Sequence, residues 1–219
     1  MATATITASS GGGYIESRNA AYATARSGSN LDASNVNGQF VRAGQTLTAE
    51  PFYYCWEAFF AWDLSSVPAG SVVNSAVLAL CPNSGDNSDQ DFTLRARDFS
   101  WTSGGMTTAD YIAGASLSTT GSLRAHYDTS SGWTPNGTYK SFTDDAMVAL
   151  VTANLGGTLQ LVIYSSREEG NNAPASLVGE YVYFGGIGDP NPPRLTIDYT
   201  PPASSHHSDP FGMSGFFGT

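Results

Sequence analysis

Every second residue from Tyr54 to Trp62 is apolar, and this alternation constrains the fold more strongly than any other feature of the sequence. It predicts a β-strand with one buried face, because successive side chains of a strand point to opposite faces. Glu57 belongs to the other register, so we expect its carboxylate at the surface. Similar runs, separated by clusters of Gly, Asn, Ser and Pro, occur at 76–80, 92–97, 159–163, 178–184 and 195–199.

One segment has the features of a helix. Residues 144–151 (DDAMVALV) begin with two acidic side chains, which stabilise a helix N-terminus, and two glycines follow at 156–157. Many short strands with one short helix predict an all-β, jelly-roll-like β-sandwich. We assign residues 1–200 to this single domain and residues 201–219 to a Pro/Ser linker and an extended C-terminal tail rich in Phe and Gly.

The charge balance restricts the partners of the chain. With 9 Lys+Arg against 19 Asp+Glu, the formal net charge is −10. Nucleic acids and anionic membrane surfaces are bound by clustered cations, so the sequence predicts neither as a partner. The sequence also lacks the run of about 20 apolar residues that spans a membrane. The N-terminus (MATATI) has no basic or strongly apolar region of a secretory signal, so we expect synthesis in the cytoplasm.

A polar turn separates two apolar runs at 63–70 (DLSSVPAG). Its Asp and Ser side chains can satisfy backbone donors before Pro-Ala-Gly turns the chain. Cys55 and Cys81 lie at equal distances from Pro68 along the sequence, so they would face each other if the flanking strands paired. Two interpretations stay open: a cross-strand disulfide, or two buried free thiols in a reducing cytosol.

Residues 59–80 (FFAWDLSSVPAGSVVNSAVLAL) resemble the DNRLRE-type, disaggregatase-related β-sandwich modules. These modules share an apolar strand that ends in Asp, then Ser-Ser-Val/Ile/Leu-Pro-x-Gly, then a strand with Ser-Ala-x-Leu. The resemblance covers about residues 12–200 and includes YATARSGS at 22–29, LQLVIYSSREE at 159–169 and GEYVYFGG…PPRLTIDYTPP at 179–202. It implies a sandwich similar to carbohydrate-binding modules, without a catalytic site of its own.

The resemblance also implies a biological setting. Such modules occur in secreted wall and glycan proteins, and similar sequences recur as stand-alone virion proteins of tailed bacteriophages. A chain that starts at Met1 without a signal or a companion domain favours the second setting. We therefore expect a non-enzymatic virion structural protein, a capsid decoration or a head or tail accessory protein. It would contact other virion proteins, form a homo-oligomer and add weak adhesion to host-surface glycans; the alternative is a stand-alone carbohydrate-binding module for cell-wall or extracellular polysaccharide.

The C-terminal tail carries the predicted docking residues. Four apolar side chains stand among glycines there: Phe211, Met213, Phe216 and Phe217. A peptide with so few apolar residues cannot form a core alone, and exposed aromatic side chains indicate a partner surface. Two interpretations stay open: residues 208–219 dock on a neighbouring subunit, the capsid or the tail of the particle, or they form a flexible end.

Motifs for catalysis are absent from the sequence. It has no Gly-x-Ser-x-Gly elbow, no P-loop and no dinucleotide-binding fingerprint. His126 is the only histidine outside the tail, so a Ser–His–Asp triad has one candidate base and no indicated nucleophile. The carboxylate pairs at 144–145 and 168–169 are sequence neighbours, which is more typical of solvated caps than of a glycosidase pair. We therefore predict no enzymatic activity.

Calcium is the candidate cofactor, as a structural ion. The loop DNSDQD contains Asp86, Asp89 and Asp91, and calcium prefers hard oxygen ligands of this kind. The loop is not an EF-hand, since the central glycine is missing. The resemblance to DNRLRE-type modules also implies structural calcium. The alternative is an acidic hairpin loop that binds no metal.

Aromatic side chains are the candidate sugar platforms, since a ring stacks on a pyranose face while nearby Asn, Asp or Arg side chains bind hydroxyls. Tyr181 and Tyr183 share the register opposite the apolar one of their strand, and Trp101 and Trp133 lie in loop-like sequence. Two alternatives stay open: the tryptophans plug the ends of the core, and the tyrosines pack in an oligomer interface.

Overall fold

The computed structural model describes residues 1–34, 36–83, 87–101 and 105–203. Within these residues the chain forms two antiparallel β-sheets that pack as a β-sandwich, with short helices at the connections. The all-β sandwich predicted from the alternating pattern is therefore confirmed. None of the helices in this part of the chain has the length and apolarity needed to cross a membrane.

In the part of the chain that the structure describes, the smaller sheet has four strands in the order β1–β14–β6–β10. They are β1 (Ala2–Thr7), β6 (Val72–Leu80), β10 (Lys140–Ser141) and β14 (Arg194–Thr200). β1 pairs with β14 along its full length, from Ala2 opposite Tyr199 to Thr7 opposite Arg194. Backbone hydrogen bonds thus join the two ends of the described sandwich.

Within the described residues the larger sheet has ten strands. They are β2 (Ser9–Asn19), β3 (Asp32–Ser34), β4 (Phe40–Leu47), β5 (Tyr53–Asp63), β7 (Asn87–Ser88), β8 (Thr93–Asp98), β9 (Leu123–Asp128), β11 (Thr143–Asp144), β12 (Thr158–Ser165) and β13 (Gly179–Gly185). β5 is central to it: β2 pairs along most of β5, whereas β4 pairs with its first half and β12 with its second half.

Short helices lie between the strands. They are α1 (Tyr22–Arg26), α2 (Met147–Ala153) and α3 (Ser166–Glu169), with 3-10 turns at Thr108–Asp110 and Thr129–Ser131. The helix predicted at 144–151 is α2. It begins at Met147, because Asp144 belongs to a short strand and accepts a hydrogen bond from Met147 N at 2.6 Å through its Oδ1. The sequence pattern did not predict α1 and α3, which are too short for a helical periodicity to emerge.

The core between the sheets is built by the alternation seen in the sequence. Phe60 and Trp62 of β5 are fully buried and share one cluster with Leu78 of β6 and with Leu195 and Ile197 of β14. Burial of a large apolar side chain stabilises a fold by about 1.5–3 kcal/mol relative to exposure. This cluster therefore holds the two sheets together.

The opposite face of β5 is buried as well, which the alternation does not predict. A second apolar cluster joins Phe59 and Val162 of the sheet to Met106, Ile112 and Leu117. The last three belong to residues 105–121, which we call the covering segment. Because this segment lies over the outer face, β5 is buried on both sides from Cys55 to Trp62.

The polar turn at 63–70 connects two strands as predicted, but the strands belong to different sheets. Asp63 Oδ1 accepts a hydrogen bond from Ser65 N at 2.9 Å at the start of the turn. β5 then leaves the larger sheet and β6 enters the smaller one, so the two strands do not pair. Of the two interpretations left open for Cys55 and Cys81, the cross-strand disulfide is therefore wrong, and two buried free thiols are confirmed.

Candidate functional site

An aromatic surface lies where four strands of the larger sheet run side by side, at the start of β5. Across β2, β5, β4 and β13 the backbone register places Glu16 opposite Trp56, Trp56 opposite Gly44, and Gly44 opposite Tyr181. Residues directly opposite one another in antiparallel strands project to the same face. The side chains gathered here, which we call the aromatic face, are Tyr14, Glu16, Arg42, Tyr54, Trp56, Tyr181 and Tyr183.

Gly44 allows the aromatic rings to meet. Because it has no side chain, the rings of Trp56 and Tyr181 on the flanking strands approach across it to 4.9 Å between centroids. Its φ of +128° is one that L side chains rarely adopt, and a Cβ atom would lie 2.5 Å from the Cα of Tyr181. The local backbone therefore requires glycine at this position.

Arg42 occupies the centre of the aromatic face. Its guanidinium carbon lies 4.8 Å from the ring centroid of Tyr14, 4.7 Å from that of Trp56 and 5.6 Å from that of Tyr183. Nη2 donates a hydrogen bond to the Tyr14 hydroxyl at 2.7 Å, and Nη1 donates to the Tyr183 hydroxyl at 3.4 Å. Each cation–ring contact contributes about 0.5–1 kcal/mol at an exposed site. Arg42 thus orders the rings around it while remaining half-buried.

The aromatic face has a buried floor and an accessible upper layer. Trp56 forms the floor: it is 3% exposed, and its Nε1 donates a hydrogen bond to Glu16 Oε2 at 2.8 Å. The Tyr54 ring stacks on Trp56 with 5.5 Å between centroids and 18° between planes. Tyr54, Tyr181 and Tyr183 are half-buried, as is Glu16. Phenol rings and charged groups therefore reach solvent on one surface.

This combination of groups suits a sugar ligand. The partly exposed rings offer apolar area for the face of a pyranose, and Arg42 and Glu16 offer a donor and an acceptor for its hydroxyls. Both charged groups already hydrogen-bond to rings within the face, which fixes their positions. The arrangement supports binding, since it presents pre-positioned contacts and no activated nucleophile.

Two of the four predicted sugar-binding residues lie in the aromatic face. Tyr181 and Tyr183 project into it from β13. Trp101, by contrast, is 8% exposed and packs edge-on against Phe59, with 5.8 Å between centroids. Trp133 is 5% exposed, and its Nε1 donates a hydrogen bond to the Tyr183 carbonyl at 3.1 Å. The prediction of exposed platforms at the two tryptophans is wrong, because both rings are buried as parts of apolar clusters.

The predicted calcium ligands lie only partly in the described structure, since Asp86 is outside it. Asp89 Oδ2 accepts a hydrogen bond from Gly179 N at 2.8 Å, and Asp91 Oδ1 accepts one from the Thr129 hydroxyl at 3.3 Å. Both carboxylates thus fasten their loop to neighbouring elements. No group of three or more His, Cys, Asp or Glu side chains is placed to hold a metal ion among the residues that the structure describes. Structural calcium at a site with Asp86 stays a prediction.

A second polar cluster lies on the opposite face of β5 and is sealed. Glu57 of β5 and Glu168 of α3 are both 0% exposed. Glu57 Oε2 accepts a hydrogen bond from Ile112 N at 2.9 Å, and Glu168 Oε1 accepts one from the Tyr111 hydroxyl at 2.9 Å. The two carboxylates therefore fasten the covering segment to the sheet. The prediction that Glu57 lies at the surface is wrong, because this segment covers it.

Burial raises the pKa of both carboxylates. It raises the pKa of Glu168 to about 8, against the opposing effects of Tyr111 and Arg26. The pKa of Glu57 is raised well above its ordinary value, first by burial and then by the charge of Glu168. Oε1 of Glu57 and Oε2 of Glu168 have no hydrogen-bond partner among the described residues. The folded protein therefore keeps protons in this cluster at neutral pH.

The surroundings of the buried carboxylates are polar but closed. Burial and the charge of Glu168 raise the pKa of the Cys55 thiol. On the same side of the sheet, Gln45 accepts a hydrogen bond from the Tyr22 hydroxyl at 2.7 Å and donates one to Glu180 Oε2 at 2.6 Å. A catalytic acid must come within hydrogen-bond reach of its substrate. The full burial of Glu168 therefore favours a structural role for this cluster.

His126 is the candidate base in the described part of the chain. Its Nδ1 lies 2.7 Å from Asp145 Oδ2, at a partly exposed position on β9. Among the described residues, no serine, threonine or cysteine side chain hydrogen-bonds to its ring. The pair therefore lacks the nucleophile that a hydrolytic triad needs.

Comparison of the sequence with known protein families and with curated proteins gives no match. The resemblance of residues 59–80 to DNRLRE-type modules therefore stays a prediction from the motif. The candidate site rests on the geometry of the aromatic face alone.

Sequence reasoning identified the tyrosines of β13 but not the rest of the aromatic face. The alternation in β5 assigns Trp56 to the core, and Tyr14, Glu16 and Arg42 belong to no motif. The signal that could have found them is Gly44, since an isolated glycine within a strand pattern often marks the close approach of another chain segment. It would still not have shown which strands flank it.

Proposed function

We propose that this protein is a non-catalytic, glycan-binding β-sandwich that serves as a structural and adhesion protein of a tailed-bacteriophage virion. The aromatic face is the binding surface. The observation that carries the proposal is the register Glu16–Trp56–Gly44–Tyr181 across four strands, which gathers stacking rings, a cation and a carboxylate on one accessible surface. Carbohydrate sites are built from such rings with a few fixed polar groups.

The non-catalytic part of the proposal is supported by where the acidic groups lie. Glu57 and Glu168 belong to one polar cluster, and both are fully buried under the covering segment. Glu16, on the aromatic face, is held by the Trp56 indole. A retaining or inverting glycosidase needs two carboxyl groups that flank an accessible bond, and the aromatic face contains only one glutamate.

The virion setting is supported by the motif at 59–80 and by the composition of the tail. The tail side chains Phe211, Met213, Phe216 and Phe217 lie outside the described residues, so their docking role stands on sequence. In this proposal they bind other virion proteins or a second copy of the chain. The competing function is a stand-alone carbohydrate-binding module, which would use the same aromatic face.

The glycan-binding proposal is tested by retention of the purified chain on a panel of immobilised bacterial cell-wall and extracellular polysaccharides. We expect the wild-type chain to be retained, and Tyr181→Ala and Tyr183→Ala each to weaken retention about two- to tenfold, since each removes a stacking ring worth about 0.5–1.5 kcal/mol. Tyr199→Ala is the matched control, because it removes a half-buried tyrosine of the smaller sheet. Equal retention of all four proteins would contradict the proposal.

The virion role is tested by light scattering after gel filtration of the full chain and of a chain that ends at Ala203. We expect a discrete homo-oligomer for the full chain and its loss on truncation. A monomer in both forms would contradict the assembly role of the tail. The stand-alone binding module would then be the better account, with the aromatic face unaffected.

A further inference from the structure

A cleft opens at the edge of the aromatic face, beside Tyr54. It is lined by Arg18, Asn30, Glu50, Phe52 and Tyr54 and has a volume of about 360 Å³. Tyr54 belongs to both sites, since its ring also stacks on Trp56. A ligand that lies on the aromatic face can therefore continue into the cleft.

Both walls of the cleft are held by hydrogen bonds within the fold. On one side, Arg18 lies opposite Tyr54 in the β2–β5 pair, and its carbonyl accepts a hydrogen bond from Asn30 Nδ2 at 3.3 Å. On the other side, Thr48 N donates to the Phe52 carbonyl at 3.0 Å and closes the turn that carries Glu50. The cleft is thus preformed, which lowers the entropy that a ligand loses on binding.

The cleft presents one cation and one anion whose charges are not used within the fold. Arg18 and Glu50 are exposed, and among the described residues neither takes part in an ion pair. Phe52, which is 38% exposed, and the Tyr54 ring add apolar surface to the same cleft. The cleft therefore combines the hydrogen-bond donors of Arg18, the acceptors of Glu50 and an apolar surface.

The two charges favour a neutral sugar as the occupant. A guanidinium donates paired hydrogen bonds and a carboxylate accepts them, so together they can bind neighbouring hydroxyls of one ring from both sides. An acidic sugar would meet the carboxylate of Glu50 in a protein whose net charge is −10, which is an unfavourable potential for an anion.

We infer that the cleft binds a neutral hexose unit of a glycan whose neighbouring units lie on the aromatic face, an inference that rests on the proposed function. Arg18 and Glu50 bind the hydroxyls of this unit, and the Tyr54 ring contacts both this unit and the next one. The cleft thereby extends the binding surface beyond the aromatic face by one unit.

The test is titration calorimetry of the full chain with neutral hexasaccharides (cellohexaose, mannohexaose and chitohexaose) and with acidic hexagalacturonate. We expect at least one neutral probe to bind at least tenfold more tightly than the acidic one. Arg18→Met and Glu50→Gln should each weaken that binding at least tenfold, since each removes a charge-assisted hydrogen bond. Lys140→Met, which removes a cation of the smaller sheet, is the control and should bind like the wild type.

The outcomes separate this inference from the proposed function. If Tyr181→Ala loses binding while Arg18→Met and Glu50→Gln bind like the wild type, the cleft subsite is overturned and the aromatic face stands. Tighter binding of hexagalacturonate would overturn the neutral occupant. Absence of binding to every probe by the folded wild-type chain would overturn both proposals.

Discussion

The adjacent residues Trp56 and Glu57 point to opposite faces of β5, and polar groups lie around each of them in opposite environments. On the face of Trp56, Arg42 and Glu16 lie among half-exposed rings. On the face of Glu57, that carboxylate and Glu168 are sealed beneath the covering segment. One strand thus provides a surface that solvent and ligands can reach and a cluster that they cannot. The first face therefore carries the proposed ligand contacts, and the second carries the carboxylates that fasten the covering segment.

The difference arises from what packs on each face. The second half of β5 contributes Phe60 and Trp62 to the core between the sheets, while the same face at the start of the strand rises to the surface with Tyr54. The outer face is covered by a segment that makes hydrogen bonds to the buried carboxylates through Ile112 and Tyr111. Three kinds of experiment distinguish the two faces: truncation of a phenylalanine, a change of pH and substitution of a glycine.

The largest expected effect comes from truncating neighbouring phenylalanines on the two faces. Phe60 packs on Trp62 and Phe184 between the sheets, with centroids at 6.1 and 5.9 Å, whereas Phe59 packs on Phe99 and Trp101 under the covering segment. We expect Phe60→Ala to lower the free energy of unfolding by about 4–5 kcal/mol and Phe59→Ala by about 3 kcal/mol. Urea unfolding measures both values.

Hydrogen exchange sharpens this comparison. In Phe59→Ala the amides of residues 105–121 should lose protection before those of the sandwich, because this segment shares its apolar cluster with Phe59. An equal loss of protection throughout the chain would show that the two faces are not separate units of stability.

The next effect is a dependence of stability on pH that comes from the outer face. The pKa of Glu168 is raised to about 8, so the folded state holds a proton that the unfolded chain releases near its ordinary pKa of 4.5. Stability should therefore fall as the pH rises from about 5 to about 8, because the folded state keeps a proton that the unfolded chain has already lost. The raised pKa of Glu57 adds to the same trend.

Urea unfolding at pH 5, 6.5 and 8 tests this dependence. Glu168→Gln and Glu57→Gln should flatten the curve, since each removes one titrating group, whereas Glu50→Gln at the exposed cleft should leave its slope unchanged. Stability that rises across this range in the wild type would mean that the carboxylates are ionised and hydrated in the folded state.

A smaller effect is expected from Gly44→Ala on the aromatic face. The added Cβ would lie 2.8 Å from the Tyr181 Cβ at a φ of +128°, so β4 and β13 must separate. We expect a loss of about 2 kcal/mol in the free energy of unfolding, with a changed near-UV circular dichroism spectrum from Trp56 and Tyr181. Gly156→Ala is the control: its φ is +76°, and no atom lies within 4 Å of the added Cβ. If both variants lose the same free energy of unfolding, the backbone conformation alone explains the need for glycine at position 44, and the contact with Tyr181 does not.

The sequence predicts one of these faces and misses the other for a physical reason. Alternation reports which side chains of β5 are apolar, so it identifies Trp56, Phe60 and Trp62 as one buried register. It cannot report that a distant loop segment folds over the other register, and so it misplaces Glu57. The same limit leaves two interpretations open for Cys55 and Cys81, because symmetry about Pro68 does not tell whether a turn stays within a sheet or crosses between two.

The candidate site is predictable only in part. Tyr181 and Tyr183 follow from their register in β13, but only loop-like sequence indicates Trp101 and Trp133, and such sequence does not distinguish an exposed ring from one that closes a core. Arg42 enters the site through the pairing of β4 with β13 and β5, a long-range contact that one sequence does not encode in any local pattern.

The central claim is that the face of Trp56, and not the face of Glu57, binds a glycan. The most direct test is chemical-shift mapping of the isotope-labelled full chain during titration with an oligosaccharide that the chain retains. The account predicts that the largest shifts cluster on β2, β4, β13 and the first half of β5, around Arg42 and Tyr181. Shifts centred on residues 105–121 and α3 would contradict it.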